Sequence, residues 1–323
     1  VVQSGRAKIV LPTGEIHKRP LKFALPSDFS PGVHTINLTV KFGSRETQED
    51  SFTFHVLPKP TPPKVSAKLA ILDPVGETIK HLKELEVHGE VVGADADFSK
   101  FDVLVVGKRA LQSDRPTLDL SRVPHGLKVI VFEQTREVLE QRFGFRVQEY
   151  GLRNVFKRVP DHPLLAGLEE DHLRDWRGAA TLLPPTLTYE MRPRYGPTIT
   201  NLGMKVTRPW RTGNRGNVAS VLIEKPACGD FLALVDGGFS LQYSPLLEYR
   251  EGRGVVLFCQ LDVTGRTEPD PAAERLIQNL LEYVTTWKPQ PRRTILYAGD
   301  PNGQKHLEAS GFAIESYSRL ALG

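Results

Sequence analysis

The sequence predicts an α/β domain built on a buried parallel sheet, with a small all-β unit and a proline-rich connection before it. Three observations carry that reading. The first 57 residues read as strands, with stretches in which apolar and polar side chains alternate with a period of two. Pro58, Pro60, Pro62 and Pro63 then crowd one short stretch. From Lys68 onward, continuous apolar runs are separated by segments of helical period, the pattern of a sheet covered on both faces.

In VHTINLTVKF, Ile36, Leu38, Val40 and Phe42 alternate with polar residues, and Phe52, Phe54 and Val56 do the same in SFTFHVL. That period sets one face on a core and the other in water. Leu21, Phe23 and Leu25 give a third strand and Ile9 with Leu11 a fourth, with turn residues at 12–14 (Pro-Thr-Gly) and 30–32 (Ser-Pro-Gly). Four strands over 1–57 suggest an immunoglobulin-like sandwich, a fold of about seven strands and roughly 100 residues. Either the sandwich is small or its first half lies outside this sequence. Residues 58–67 form the linker, because proline removes backbone donors and holds the chain extended.

The α/β domain is assigned to 68–288. KLAIL is its first strand, followed by a helix with Ile79, Leu82 and Leu85 on one face; GEVVG, FDVLVVG and LKVIVF follow as strands, and the last leads into a helix carrying Val138, Leu139 and Phe143. NVASVLIE and DFLALVD read as an antiparallel hairpin joined through Lys225–Gly229, and GVVLFCQLD as a last strand covered by the helix DPAAERLIQNLLEYV. Asp270 is placed to cap that helix and Pro271 suits its first turn. Residues 151–215, rich in Pro and Arg, read as an insertion over one end of the sheet.

The stretch ILYAGDPNGQKHLEASGF (Ile295–Phe312) repeats an earlier pattern, in which LAILDPVG precedes a helix carrying His81-Leu82. Each has an apolar strand, Asp-Pro-x-Gly, and a helix with a His-Leu pair; Asp73 and Asp300 lie 227 residues apart, about one large domain. Residues 289–323 are therefore expected to open a second α/β unit that is cut short. With Val1 in place of an initiator Met, the chain is expected to be a piece of a longer protein.

Of the 323 residues 40% are hydrophobic and 25% charged, with a formal charge of +4, values of an ordinary globular protein. The Lys and Arg residues are scattered among acidic ones, which argues against nucleic acid as a partner, and no apolar run is as long as a membrane span. Cys228 and Cys259 cannot make a four-ligand zinc site; each is read as a small core residue, with one disulfide between them as the alternative. No His, Cys or carboxylate spacing suggests a metal, and no cofactor is implied.

Ligands of open parallel sheets bind beyond the carboxyl ends of the strands. Those ends carry Asp73, Gly107-Lys108, Glu133-Gln134, and Gln260 with Asp262. Glu133 stands at a strand-turn-helix junction, VIVFEQTREVLEQ, the geometry that displays a reactive side chain. Glu133 and Asp262 are thus the candidate catalytic pair, suited to glycoside cleavage if they face one crevice. The competing reading has Glu133 capping a helix or pairing with Arg136 or Arg266. Asp73, Gln134 and Gln260 are candidate ligand contacts at the same ends. Trp176 and Trp210, with Tyr189 and Tyr195, are candidates for stacking on sugar rings or for packing the insertion. His162 in DHPLLAGL is read as part of a structured loop, with a ligand or base role as the alternative.

Residues 68 to about 288 resemble the class I glutamine amidotransferase-like fold, a flavodoxin-like sheet whose active members carry Cys at the elbow and His-x-Glu after a later strand. Glu133 stands at the elbow and Gln260-Leu261-Asp262 where His-x-Glu is expected, so the amidotransferase reaction is not expected here, since a nucleophilic mechanism needs an activated nucleophile with a proton acceptor. EGRGVVLFCQLDVTGR, DHPLLAGL (161–168) and DWRG (175–178), together with the sandwich and linker, resemble the accessory region of very large bacterial proteins related to family-two glycoside hydrolases and beta-galactosidases. The resemblance implies a non-catalytic structural or interaction module, whose partners are other domains of its own parent chain, with carbohydrate as a further partner. The location is unknown from the sequence, with an extracytoplasmic setting favoured. A glycoside or amide hydrolase using Glu133 and Asp262, or a sugar-binding module using the same crevice, are the alternatives.

Overall fold

In the computed structural model the described residues are 4–18, 20, 22–26, 28–59, 61–114, 118–184, 199–201, 204–206, 213–289, 295–310, 312 and 314–317. The chain divides into two compact units, Val1–Pro58 and Lys59–Gly323.

In the first unit, β1 (Gly32–Lys41) and β2 (Thr47–Val56) form an antiparallel hairpin in which Ile36 faces Phe52 and His34 faces Phe54. Phe23 and Phe29 reach this face: Phe29 lies 4.3 Å from the His34 ring and Phe23 6.3 Å from the Phe54 ring. The strands expected around Ile9 and Phe23 do not form among the described residues. Their apolar side chains stay about half exposed. Alternation specifies a strand only where a neighbouring edge accepts its hydrogen bonds, and these segments find no such edge.

The second unit is a mixed α/β structure around one ten-stranded sheet. In chain order its elements are β3 (Leu69–Leu72), α1 (Glu77–Glu84), β4 (Glu90–Val91), β5 (Val103–Val106), β6 (Lys128–Val131), α2 (Arg136–Phe143), β7 (Val147–Leu152), β8 (Phe156–Lys157), β9 (Ile199–Asn201), β10 (Met204–Val206), β11 (Ala219–Glu224), β12 (Phe231–Gly237), β13 (Tyr243–Glu251), β14 (Gly254–Cys259), α3 (Pro271–Thr286), β15 (Ile295–Tyr297), α4 (Pro301–Ala309) and β16 (Ile314–Ser316). Strands β4, β3, β5, β6 and β14 are neighbours in that order and all parallel. β3, β5 and β14 are buried along their whole length, as their unbroken apolar runs demand. α3 starts where Asp270 accepts from the amides of Ala272 and Ala273, with Pro271 in the first turn.

Beyond β14 the order is antiparallel and differs from the expected hairpin. β11 and β12 do not pair with each other; both pair with β13, and β13 lies along β14. β7 joins the outer edge of β11, and β8 that of β12. The segment holding β13, SLQYSPLLEYR, carries Pro245 and two charged residues, Glu248 and Arg250, near its end, so its pattern does not announce a strand. Pairing with β12 and β14 supplies its partners instead.

β15, α4 and β16 make a small βαβ unit with β15 parallel to β16. The two Asp-Pro steps do different work. Asp300 caps α4, accepting from the amides of Asn302 and Gly303. Asp73 instead accepts from the Ile79 amide, and α1 is preceded by Gly76 at its N-cap, whose φ of 85° suits only glycine well. Cys228 is exposed and Cys259 buried, and both are free thiols. The disulfide and the core role of Cys228 are thereby corrected: a tight turn between β11 and β12 carries Cys228 into solvent.

Candidate functional site

The carboxyl ends of β5, β6 and β14 bring Lys108, Glu133 and Asp262 together, and the loop after β14 folds Thr264 and Arg266 back over them. Lys108, Glu133, Gln134, Gln260, Asp262 and Thr264 are all at most 1% exposed. The Lys108 ammonium donates to Asp262 Oδ1 at 2.9 Å, to Thr181 Oγ1 at 2.7 Å and to the Thr264 carbonyl at 2.7 Å. Arg266 Nη1 donates to the other Asp262 oxygen at 3.0 Å and to the Asn217 carbonyl at 2.9 Å, and its Nε and Nη2 donate to the Arg177 carbonyl. Asp262 is therefore clamped between two cations inside the protein, a pairing that offsets the cost of burying its charge.

Glu133 takes neither of the arginines expected for it. Its Oε1 accepts from the Thr264 amide at 3.0 Å and its Oε2 from the Thr264 hydroxyl at 3.1 Å. Arg266 goes to Asp262, and Arg136 pairs with Glu140 one turn along α2. Burial pushes the Glu133 carboxyl up to about 7; the nearby Lys108 ammonium works against that rise and the Asp262 carboxylate adds to it. Glu133 does not have a positive φ, so the strained turn of a nucleophile elbow is absent at this residue.

Gln134 is occupied with the backbone on both its amide atoms and Gln260 on its oxygen alone, its Nε2 being buried with no partner among the described residues. Gln134 donates to the carbonyls of Gly107 and Phe132 and accepts from the Leu111 amide. Gln260 accepts from the Gln134 amide at 3.1 Å. These amides tie the end of β5 to the ends of β6 and β14. Gly265, with a φ of 65°, lets the loop pass close to Glu77 and Lys108, where a Cβ would collide with the Glu77 carboxylate.

Trp176 is 2% exposed, donates from Nε1 to the His172 carbonyl, and has the Arg266 guanidinium over its ring at 5.5 Å. It packs the ionic cluster from outside and offers no free face to a sugar. Trp210, Tyr189 and Tyr195 lie outside the described residues. Asp73 stands apart from the cluster, at the end of β3. His162 sits in the loop as expected: its Nδ1 accepts from the Leu164 amide, and its Nε2 lies 3.2 Å from the buried Glu248. Glu248 also receives hydrogen bonds from Arg250 and Tyr283. Burial alone would raise the Glu248 carboxyl, but the hydrogen bonds from His162, Arg250 and Tyr283 outweigh it and bring it down to about 2.

Sequence reasoning found the strand-end residues but missed Thr181 and Thr264 as their partners. A lysine directly after the apolar run VLVVG was the available signal for a buried cation; Thr181, in the insertion, had none. Among the described residues no group of three or more His, Cys, Asp or Glu is arranged to hold a metal, and no helix is long and apolar enough to cross a membrane. No protein-family model matches the chain, and no curated protein matches it.

Proposed function

We propose that this chain is a non-catalytic structural or interaction module of a large carbohydrate-active protein, built from an amidotransferase-like α/β domain and part of an immunoglobulin-like sandwich. The order β4-β3-β5-β6-β14, all parallel, supports the flavodoxin-like reading, since it follows the 2-1-3-4-5 pattern of those sheets. The hairpin β1–β2 is the part of the sandwich on which the other reading rests. The link to glycoside hydrolase-related proteins is carried by the resemblance of 161–168, 175–178 and the β14 region.

One observation carries the non-catalytic reading: the carboxylate pair is closed. Asp262 spends both oxygens on Lys108 and Arg266, Glu133 spends both on Thr264, and both side chains are at most 1% exposed. A general acid or base must come within about 3 Å of the atom it serves, and a glycosidase pair must leave room for a sugar between its carboxyls. In this domain Lys108 and the Thr264 loop take that room, so the cluster ties three strand ends and the insertion into one rigid piece.

A hydrolase reading with Glu133 and Asp262 has one point in its favour, the Glu133 carboxyl near 7, which suits an acid working at neutral pH. The deciding experiment is an assay of the whole chain on a panel of aryl glycosides and on glutamine, with Glu133→Gln and Asp262→Asn alongside. No turnover above background in any of the three proteins is expected. Turnover by the parent that disappears in a folded Glu133→Gln variant would overturn the proposal in favour of the hydrolase.

A further inference from the structure

A second feature at the strand ends is open where the ionic cluster is closed. Between the ends of β3 and β5, on the side toward β4, lies a cleft of about 440 Å³, within the range of about 300–1,000 Å³ usual for small-molecule sites. β3 and β5 are adjacent in the sheet but separated in sequence by β4 on the far side of β3. The chain thus leaves these two strands in opposite directions, the topological position at which open α/β sheets bind ligands. The floor is apolar, with Leu72, Ala110 and Leu118 buried beneath it, and Phe143 stands at one wall.

Two charged side chains border this surface. Asp73, 5% exposed, holds the Ile79 amide with Oδ2 at 2.8 Å, while its Oδ1 is buried with no protein donor in reach. Gly107 makes room for that carboxyl, since a Cβ there would stand 2.6 Å from it. Arg142, from α2, donates to the Ser113 carbonyl at 2.6 Å. A buried acceptor left unsatisfied is costly, and the torsion that turns a carboxyl about its last bond is soft. Oδ1 is enclosed beside Gly107, so it is a turn about that bond that presents it to a donor in the cleft, with the Ile79 amide still facing the carboxylate.

We propose that this cleft binds a neutral, mostly apolar small molecule carrying a hydroxyl group, whose O–H donates to Asp73. Asp73 repels an anion and Arg142 repels a cation, and both line the cleft, so a neutral ligand meets neither repulsion. A bare sugar would set most of its hydroxyls against aliphatic walls. The inference is independent of the proposed function, because no residue of the ionic cluster lines the cleft.

The test uses the whole chain and three probes of one shape: 2-naphthalenemethanol, its methyl ether, and 2-methylnaphthalene. Binding is followed by calorimetry and by amide chemical shifts. The alcohol is expected to bind saturably, shift the amides of Gly93, Ala110 and Leu111, and bind about tenfold more tightly than the ether, which can only accept. In Asp73→Asn the new NH2 serves the ether, so that preference is expected to vanish. Ala94→Trp, at the exposed rim, fills the cleft without touching the core and is expected to abolish binding of all three probes. The proposal is overturned by absence of saturable alcohol binding, by equal affinity for alcohol and ether in the parent, or by unchanged binding in Ala94→Trp.

Discussion

Replacing Lys108 by Met removes one ammonium and leaves most of the buried stem in place. The lost contacts are the ion pair with Asp262 at 2.9 Å and the bonds to Thr181 and the Thr264 carbonyl, both at 2.7 Å. Breaking a buried pair by deleting one partner costs about 3–5 kcal/mol. Asp262 keeps Arg266 at 3.0 Å, so the lower end applies, about 3 kcal/mol. For a domain of this size that loss lowers Tm by about 6–12 °C. Calorimetry gives the shift, and urea unfolding followed by tryptophan emission gives the free energy, with Trp176 reporting from beside Arg266. The double variant Lys108→Met/Asp262→Leu removes both charges, and Arg266 retains the carbonyls of Arg177 and Asn217. Swapping a whole buried pair for apolar residues is often close to neutral, so the double variant should recover at least half of the loss. A single variant within about 1 kcal/mol of the parent, or a double variant whose losses simply add, would refute the claim that Lys108 and Asp262 hold each other in place.

Glu133 gives a pH signature of definite sign. Its folded carboxyl titrates near 7, above its unfolded value, so the native state binds the extra proton between those two pH values and stability falls as pH rises through that window. The total is on the order of 3 kcal/mol. Glu133→Gln keeps an acceptor for the Thr264 amide and removes the titration, so it should raise Tm at pH 8, leave it unchanged near pH 4, and flatten the profile between; a parent profile already flat there would contradict the assignment. Glu248 has the opposite sign, because its folded carboxyl lies near 2, and its contribution is lost as pH falls from about 4.5 toward 2. Tyr283→Phe removes the 2.8 Å bond to Glu248 and should cost about 1.5–3 kcal/mol at pH 7, with a smaller difference at pH 2, both read by urea unfolding.

Much of the second unit was legible because local pattern sufficed. Unbroken apolar runs such as LAIL and VLVV can exist only where both faces are covered, and they became the buried strands β3 and β5. Asp270-Pro271 fixed the start of α3 because capping involves only neighbours in the chain. The first unit shows the opposite: alternation at Ile9–Leu11 had the right period, yet no strand formed there without an edge to join.

The candidate site divides along the same line. The sequence by itself determined which side chains stand at the strand ends, since Asp73, Lys108, Glu133, Gln260 and Asp262 each follow an apolar run. It could not determine what those side chains do, because their partners come from distant parts of the chain. Lys108 meets Asp262 across 154 positions and Glu133 meets Thr264 across 131. Only the tertiary structure decided that β13 lies between β14 and the outer strands, that the Thr264 loop closes over Glu133, and that Asp73 is left with an unpaired oxygen beside an open cleft. Periodicity is a property of successive residues, whereas strand pairing and the neutralisation of buried charge are set by contacts that exist only once the chain has folded.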